Sequence, residues 1–278
     1  MKNSGNAALD SYVYVYNPAN QRTNLTRLDT STVAFKYDPI GQLKVADSSV
    51  NTEDRDAHWR TEFAYDGLGR LRQRNEYSWA SGWHLADTVN YVYDGWRVIQ
   101  ERDSNNVPAV SYTRGNDLSG SMEGAGGIGG MLARSFYFLG GTFHDFYFAD
   151  GNGNITSMLD SSQNIVASYR YDPFGNTISL SGLLAGANTY RFSSKELMGN
   201  SGLYYYGYRF YDPNLQRWIN RDPIGEVESG NLYAFVRNNP IARVDSFGLF
   251  DGQTTPGHPW PIHPPPVPPP QQRCAACW

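Results

Sequence analysis

Two aspartates in the last quarter of the sequence have the residue type and spacing for acid–base chemistry. Asp222 begins the run Asp-Pro-Ile-Gly, and Asp245 begins Asp-Ser-Phe-Gly. Two carboxylates about 3 Å apart cannot both ionise, so the ionised one can take a proton from water while the protonated one polarises a peptide carbonyl. An arginine such as Arg221 could offset negative charge in the transition state. Each aspartate could equally do no more than accept hydrogen bonds from its own turn.

Other kinds of functional site find little support in the sequence. The 5 histidines have no HExxH or other metal-ligand spacing, and no G-x-S-x-G nucleophile motif occurs. Gly124, Gly126 and Gly129 match GxGxxG, but no apolar strand precedes them and no helix follows, so a turning loop is predicted. The run DGNGN at 150–154 lacks EF-hand spacing and predicts a hairpin turn. We therefore expect no metal and no cofactor.

The composition predicts a β protein. The chain has 20 tyrosines and 28 glycines in 278 residues, a bias that suits pleated strands and tight turns. A formal net charge of -4 gives no broad basic surface, so no nucleic-acid partner is expected. The sequence has no apolar run of about 18 residues, so no membrane span is expected. No signal peptide is visible at the N-terminus.

A recurring Tyr-Asp dipeptide supplies the elements that must position the candidate residues. It occurs at equal spacing at 37–38, 65–66 and 93–94, and again at 171–172 and 211–212. At 38–41, 66–69 and 172–175 the D-P-x-G or D-G-x-G run predicts a type I turn, because Asp can bond the backbone ahead and Gly is favoured at the fourth position. Alternating segments on either side predict strands. The repeating unit is therefore a hairpin, and neighbours must stack to bury its aromatic face.

The hairpins divide the chain into three predicted parts. Residues 1–180 form the hairpin array, with a glycine-rich loop at 115–133, and residues 181–249 form an aromatic-rich core segment. A short helical turn is predicted at 193–197. Tyr204, Tyr205, Tyr206, Tyr208 and Trp218 are expected to be core or lining side chains rather than a sugar platform.

Residues 250–278 are predicted to be a disordered, proline-rich tail that cannot belong to a sheet. They are too few and too polar to fold as a toxin domain. The proline run at 264–270 could dock on an aromatic groove of a partner, or serve only as a solvated spacer. Cys274 and Cys277 form a CxxC pair within this tail, with no second pair to complete a zinc site.

Three ordered segments, at 209–225, 231–240 and 245–249, resemble the C-terminal core of RHS/YD-repeat proteins. The resemblance covers roughly residues 10–249. It implies long hairpins that spiral into a hollow shell, with the core segment curling inward to close one end. Teneurins and insecticidal toxin-complex C subunits share this shell.

The resemblance also implies a cleavage site. In many members the core is an aspartyl autoprotease that cuts after a DPxGL motif and frees a variable C-terminal segment, often a toxin. The matching motif here ends in Gly248 and Leu249, so the implied scissile bond is Leu249–Phe250. Asp222 and Asp245 would be the catalytic carboxylates, with Arg221 as their stabiliser or ion-pair partner. Ser246 stands where the family usually has proline. The serine in this place makes the turn before the scissile bond less rigid.

The resulting hypothesis is a shell segment that encapsulates its own C-terminal segment as cargo and cleaves itself after Leu249. Such a chain would be secreted or displayed at the cell surface as part of a longer protein, with secretion or toxin-complex components as partners. The alternatives are a non-enzymatic scaffold or surface-binding module, and a truncated relic of a polymorphic toxin. The chain has too few hairpins to close a shell. We therefore expect an open curved sheet with one exposed edge, and such an edge favours association with other chains.

Overall fold

The computed structural model describes residues 11–28, 30–49, 58–138, 140–227, 230–249 and 251–253. Phe250, the proline run at 264–270, Cys274 and Cys277 lie outside the described residues. The main feature is an antiparallel sheet of 14 strands in which each strand pairs with its neighbours along the chain. Its strands are β1 (Tyr12–Tyr16), β2 (Arg22–Arg27), β3 (Thr32–Tyr37), β4 (Leu43–Ser49), β5 (Trp59–Tyr65), β6 (Leu71–Trp79), β7 (Trp83–Asp94), β8 (Arg97–Arg102), β9 (Pro108–Arg114), β10 (Met131–Phe138), β11 (Gly141–Ala149), β12 (Ile155–Asp160), β13 (Ile165–Tyr171) and β14 (Thr177–Ser181). The all-β prediction is confirmed.

In three of the Tyr-Asp dipeptides the aspartate organises the turn that follows it. Asp38 Oδ1 accepts hydrogen bonds from the backbone N–H groups two and four residues ahead, at 3.0 and 2.9 Å. Asp66 and Asp172 make the same pair of bonds. Gly41 closes the first turn by donating its N–H to Asp38 O at 3.0 Å, with a φ of +90° that glycine adopts without strain. The predicted turns, and the hairpin turn at 150–154, are confirmed.

In four of the dipeptides the tyrosine ties its hairpin to the preceding one. The Tyr65 hydroxyl donates to the backbone carbonyl of Leu43 at 2.6 Å. Tyr37, Tyr93 and Tyr171 donate in the same way to carbonyls at positions 22, 71 and 155. Each accepting carbonyl belongs to the first residue of a strand that leaves an earlier turn. The Tyr-Asp repeat therefore combines a turn-forming side chain with a link between hairpins.

Replacing Tyr65 with phenylalanine tests this link. We expect Tyr65→Phe to lower the free energy of unfolding by about 1–3 kcal/mol, because the carbonyl of fully buried Leu43 loses its hydroxyl partner. Tyr77→Phe is the control, since the Tyr77 hydroxyl only makes a 3.3 Å contact with the Glu62 side chain. It should change the stability by less than about 0.5 kcal/mol. Urea unfolding followed by tryptophan fluorescence gives both values, and equal losses would contradict the proposed link.

The large sheet is open, as predicted, but within the described part of the chain it has two edges and not one. β1 pairs only with β2, and β14 pairs only with β13. Both edges carry exposed apolar side chains, including Val13 on β1 and Ile178 on β14. Each edge offers backbone groups to another strand.

A second, smaller sheet formed by the core segment packs against the inner face of the large one. Its strands are β15 (Glu196–Met198), β16 (Leu203–Tyr205), β17 (Phe210–Asp212) and β18 (Arg217–Trp218). The rings of Phe63 on β5 and Phe210 on β17 lie 5.0 Å apart. Buried ion pairs join Arg22 to Asp212 and Arg74 to Glu196, at 2.8 and 2.7 Å. The core segment therefore packs closely against one face of the large sheet.

The interior of the core segment is aromatic. Tyr204, Tyr206 and Trp218 are almost fully buried and form one cluster with Tyr211 and Phe235. The expectation that these aromatics are core side chains is confirmed for them. The helical turn predicted at 193–197 is a 3₁₀ turn at Phe192–Ser194, and the chain then enters β15. No helix among the described residues is long and apolar enough to cross a membrane.

Candidate active site

The buried guanidinium of Arg209 joins the two predicted carboxylates. Its Nη1 lies 2.8 Å from Asp222 Oδ2, and its Nη2 lies 3.3 Å from Asp245 Oδ2. All three side chains are more than nine-tenths buried. Arg209 directly precedes β17, and Asp245 ends β19 (Arg243–Asp245). The fold thus brings together two aspartates that lie far apart in sequence.

Arg209 also contacts the backbone next to the predicted cleavage site. Its Nε donates to the carbonyl of Gly248, and Nη1 donates to that of Leu232 at 3.3 Å. The guanidinium lies over the ring of Trp218, with Cζ 4.3 Å from the ring centroid. Burial lowers the pKa of Arg209, and the two carboxylates oppose that effect. The position of this cation is therefore fixed by both carboxylates, two carbonyls and an aromatic face.

The chain wraps around the carboxylate of Asp245. Its Oδ1 accepts the N–H groups of Phe247, Gly248 and Leu249, at 3.2, 2.7 and 3.0 Å. Gly248 has a φ of +77°, and a Cβ added there would lie 3.1 Å from Arg209 N. Burial raises the pKa of Asp245, although Arg209 and the three N–H groups favour its ionised form. The turn and the ion pair therefore use different oxygens of one carboxylate.

Asp222 shows the same division between its two oxygens. Its Oδ1 accepts the N–H of Ile224 at 3.0 Å, while Oδ2 faces Arg209. The turn role that the sequence allows for each aspartate is therefore present, and each has a second oxygen directed at the shared cation.

The arginine between the carboxylates is Arg209, not Arg221, which was predicted from its position beside Asp222. Arg221 is exposed. Arg209 lies within the segment 209–225 that carries the family resemblance. Only the fold reveals that it reaches both aspartates.

The residues after the predicted cleavage site are held as well. Asp251–Gln253 form β20, which pairs antiparallel with β19. Asp251 makes ion pairs with Arg243 at 2.5 Å and with Arg237 at 3.1 Å. These residues belong to the predicted tail, yet they pair with the core segment. Leu249 is 1% exposed, so the chain is fixed on both sides of position 250.

The chain resembles toxins over most of its length, although no family model matches it. It is 28% identical over 245 residues to double-stranded DNA deaminase toxin A of Burkholderia cenocepacia, covering 85% of this chain and 17% of that protein. It is 38% identical over 97 residues to toxin subunit YenC1 of Yersinia entomophaga, covering 34% and 10%. The tRNA nuclease WapA of Bacillus subtilis is 27% identical over 264 residues, covering 84% and 11%. The chain therefore spans less than a fifth of each relative.

Solved structures share the fold. The crystal structure of TcdB2-TccC3-Cdc42 matches with a TM-score of 0.61 at 20% identity, covering 86% of this chain and 13% of that one. The Photorhabdus luminescens Tc holotoxin pore matches with a TM-score of 0.55 at 19% identity, covering 91% and 14%. This chain therefore resembles RHS/YD-repeat toxin proteins in both sequence and fold. Its open sheet has the form of a segment of an RHS shell.

The Tyr-Asp hairpins of this chain form a shell-type fold like that of the toxin-complex structures. In the described ranges, no group of three or more His, Cys, Asp or Glu side chains could hold a metal ion.

Proposed function

We propose that this chain closes one end of a YD-repeat shell and cleaves itself between Leu249 and Phe250. One observation carries the proposal: Arg209 contacts both buried carboxylates and also the carbonyl of Gly248, next to the scissile bond. A purely structural turn needs neither a second carboxylate nor a shared cation. Buried charges are costly unless they are paired, so such clusters are often functional.

The proposed reaction is hydrolysis by an acid–base pair. Asp222, held as a carboxylate by Arg209, takes a proton from water, and the water oxygen bonds to the carbonyl carbon of Leu249. The C–N bond to Phe250 breaks, and the new amine takes a proton from Asp245, whose pKa is raised by burial. Arg209 offsets the negative charge of the tetrahedral intermediate.

The folded chain supplies its own substrate, which makes the reaction intramolecular. The three N–H groups on Asp245 and the β19–β20 pairing hold the chain on both sides of position 250. Such positioning contributes on the order of 7–11 kcal/mol to lowering a barrier in favourable cases. The reaction therefore needs no docking site for a separate substrate.

Encapsulation is the second part of the proposal. The core segment packs against one face of the sheet, so the C-terminal segment would start on that side, and β20 would keep it attached after cleavage. The cargo would be the chain's own C-terminal segment, within a longer secreted or surface-displayed protein. Secretion or toxin-complex components would be its partners, a view supported by the toxin subunits among its relatives.

Refolding of purified chain tests the proposed cleavage. Chain purified in denaturant and then diluted into buffer should yield one fragment ending at Leu249 and one starting at Phe250, without added protease. The rate should be the same at a tenfold lower protein concentration, because the reaction is intramolecular. A correctly refolded chain that stays whole for days would contradict the proposal, as would a rate proportional to concentration.

A further inference from the structure

A buried lysine connects the glycine-rich loop to the turn that carries the proposed cleavage site. Lys195 Nζ donates to the carbonyl of Ser246 at 2.7 Å and to that of Gly126 at 2.8 Å. We propose that Lys195 and Gly126 form a clamp that positions the turn at 245–249 for cleavage. This inference rests on the function proposed above, and it gives the loop at 115–133 a role.

The clamp is anchored on both of its flanks. Ser194, next to Lys195, accepts the N–H of Gly129 at 3.0 Å and donates its hydroxyl to the carbonyl of Gly153 at 2.7 Å. The loop itself folds around Asp117, whose Oδ2 accepts the N–H groups of Ala125 and Gly127 at 2.7 and 3.0 Å. The hydrogen bonds within the loop therefore hold the carbonyl of Gly126 in place independently of Lys195.

Gly126 touches the turn so closely that no other residue fits. Its φ is +62°, and an added Cβ would lie 1.9 Å from the carbonyl oxygen of Ser246 and 2.6 Å from its carbon. These are backbone atoms, so relief of the clash requires the turn to move. Gly127 has a similar φ of +77°, but the nearest atom to its added Cβ is Arg97 Cγ at 3.8 Å. Both glycines thus have a left-handed backbone, but only Gly126 lies against the backbone of Ser246.

The ammonium of Lys195 is buried, and its hydrogen-bond partners are the two backbone carbonyls. Its Nζ lies 5.3 Å from the centroid of the Tyr206 ring, in addition to the two carbonyls. Burial lowers the pKa of Lys195 to about 7. A cavity of about 50 Å³ adjoins it, large enough for water to exchange its proton. The charged and titratable groups around it are Asp245, Asp117, Glu123, Arg114, Arg97, Arg70, Glu196, Tyr93, Tyr190, Tyr205 and Tyr206.

Protonation of Lys195 should strengthen the clamp, because a charged donor makes roughly twice as strong a hydrogen bond to a carbonyl as a neutral one. The grip on Ser246 is therefore tightest below pH 7 and weakens as the pH rises through 7. Lys195 contacts neither the carboxylates nor the scissile bond directly in this arrangement, so it is a positioning residue.

The matched glycine pair tests the clamp through its steric contact. Gly126→Ala should slow cleavage by about 10²-fold, since a displacement of about 1 Å can cost that much in rate. Gly127→Ala should slow it by less than about threefold, although it carries the same backbone strain. Rates are compared by densitometry of the two fragments after refolding. Equal slowing by both substitutions would overturn the proposal.

The pH profile separates positioning from mere stabilisation. The cleavage rate of the unchanged chain should fall several-fold between pH 6 and pH 8, whereas Lys195→Met should be slower throughout and lack the step near pH 7. Lys195→Arg should restore little, because the larger planar guanidinium does not fit two converging carbonyls. A step near pH 7 that persists in Lys195→Met would overturn the role of Lys195.

A readout independent of cleavage distinguishes failure of the clamp from failure of the proposed function. In an Asp222→Asn background the chain should stay whole, and hydrogen exchange then reports on the amides of Phe247, Gly248 and Leu249. Adding Gly126→Ala or Lys195→Met should speed exchange at these amides by about tenfold or more, and adding Gly127→Ala should not. Unchanged exchange in both clamp variants would overturn the clamp, whether or not the chain cleaves itself.

Discussion

A chain carrying Asp245→Asn is expected to remain whole under conditions in which the unchanged chain divides at Leu249. Asparagine can still accept the three turn N–H groups through its amide oxygen, so the wrapped turn can persist. It can no longer supply the proton that the new amine requires. Removing a general acid of this kind typically lowers a rate by about 10²- to 10⁴-fold. Denaturing gel electrophoresis during refolding measures the loss directly.

Asp172→Asn is the matched control for this substitution. Asp172 makes the same turn hydrogen bonds, to the N–H groups two and four residues ahead, but it lies in the hairpin between β13 and β14. Its replacement should leave the cleavage rate within about threefold. Asp222→Asn should behave like Asp245→Asn, since both carboxylates are required. Cleavage of the Asp245→Asn chain at an unchanged rate would contradict the acid–base assignment.

Replacing Arg209 with methionine should cause the largest loss of stability of any substitution considered. Two buried carboxylates would lose their shared cation, and two carbonyls would lose their donor. Breaking a buried ion pair by removing one partner costs about 3–5 kcal/mol, because the remaining charge stays uncompensated. Arg209→Lys should recover little of this, since a point charge cannot contact both aspartates in the arginine geometry. Cleavage should be lost in both variants.

Arg170→Met controls for the loss of an arginine as such. Arg170 lies on β13 and is exposed, so its replacement should change the free energy of unfolding by less than about 0.5 kcal/mol. Denaturant unfolding of the Arg209→Met and Arg170→Met chains gives the comparison. A loss below about 1 kcal/mol for Arg209→Met would contradict the central role given to this side chain.

The hairpin array could be predicted from the sequence because its interactions are local. Asp38 bonds backbone groups two and four residues ahead, and the turn glycines follow directly, so both features are visible in a short stretch of sequence. The two-edged sheet was less predictable. Whether the end strands meet depends on the curvature of all 14 strands, which no single hairpin encodes.

The candidate site was predicted only in part, because its decisive contacts join distant residues. Arg209 and Asp245 are 36 positions apart, and nothing in either local sequence marks them as partners. The contact between Gly126 and Ser246 was hidden for the same reason. The predicted boundary between the core segment and the tail, after Leu249, rests on the proline content of the tail. Residues 251–253 precede the first proline of the tail and keep their N–H groups, so they can pair with β19.

Cleavage in water enriched in ¹⁸O tests the central claim most directly. The chain is refolded in H₂¹⁸O, and the masses of both fragments are measured. Hydrolysis by the Asp222–Asp245 pair predicts a new carboxyl group at Leu249 that carries one ¹⁸O atom, and an unlabelled second fragment that begins at Phe250. An intact chain, or a cut at any other bond, would contradict the account.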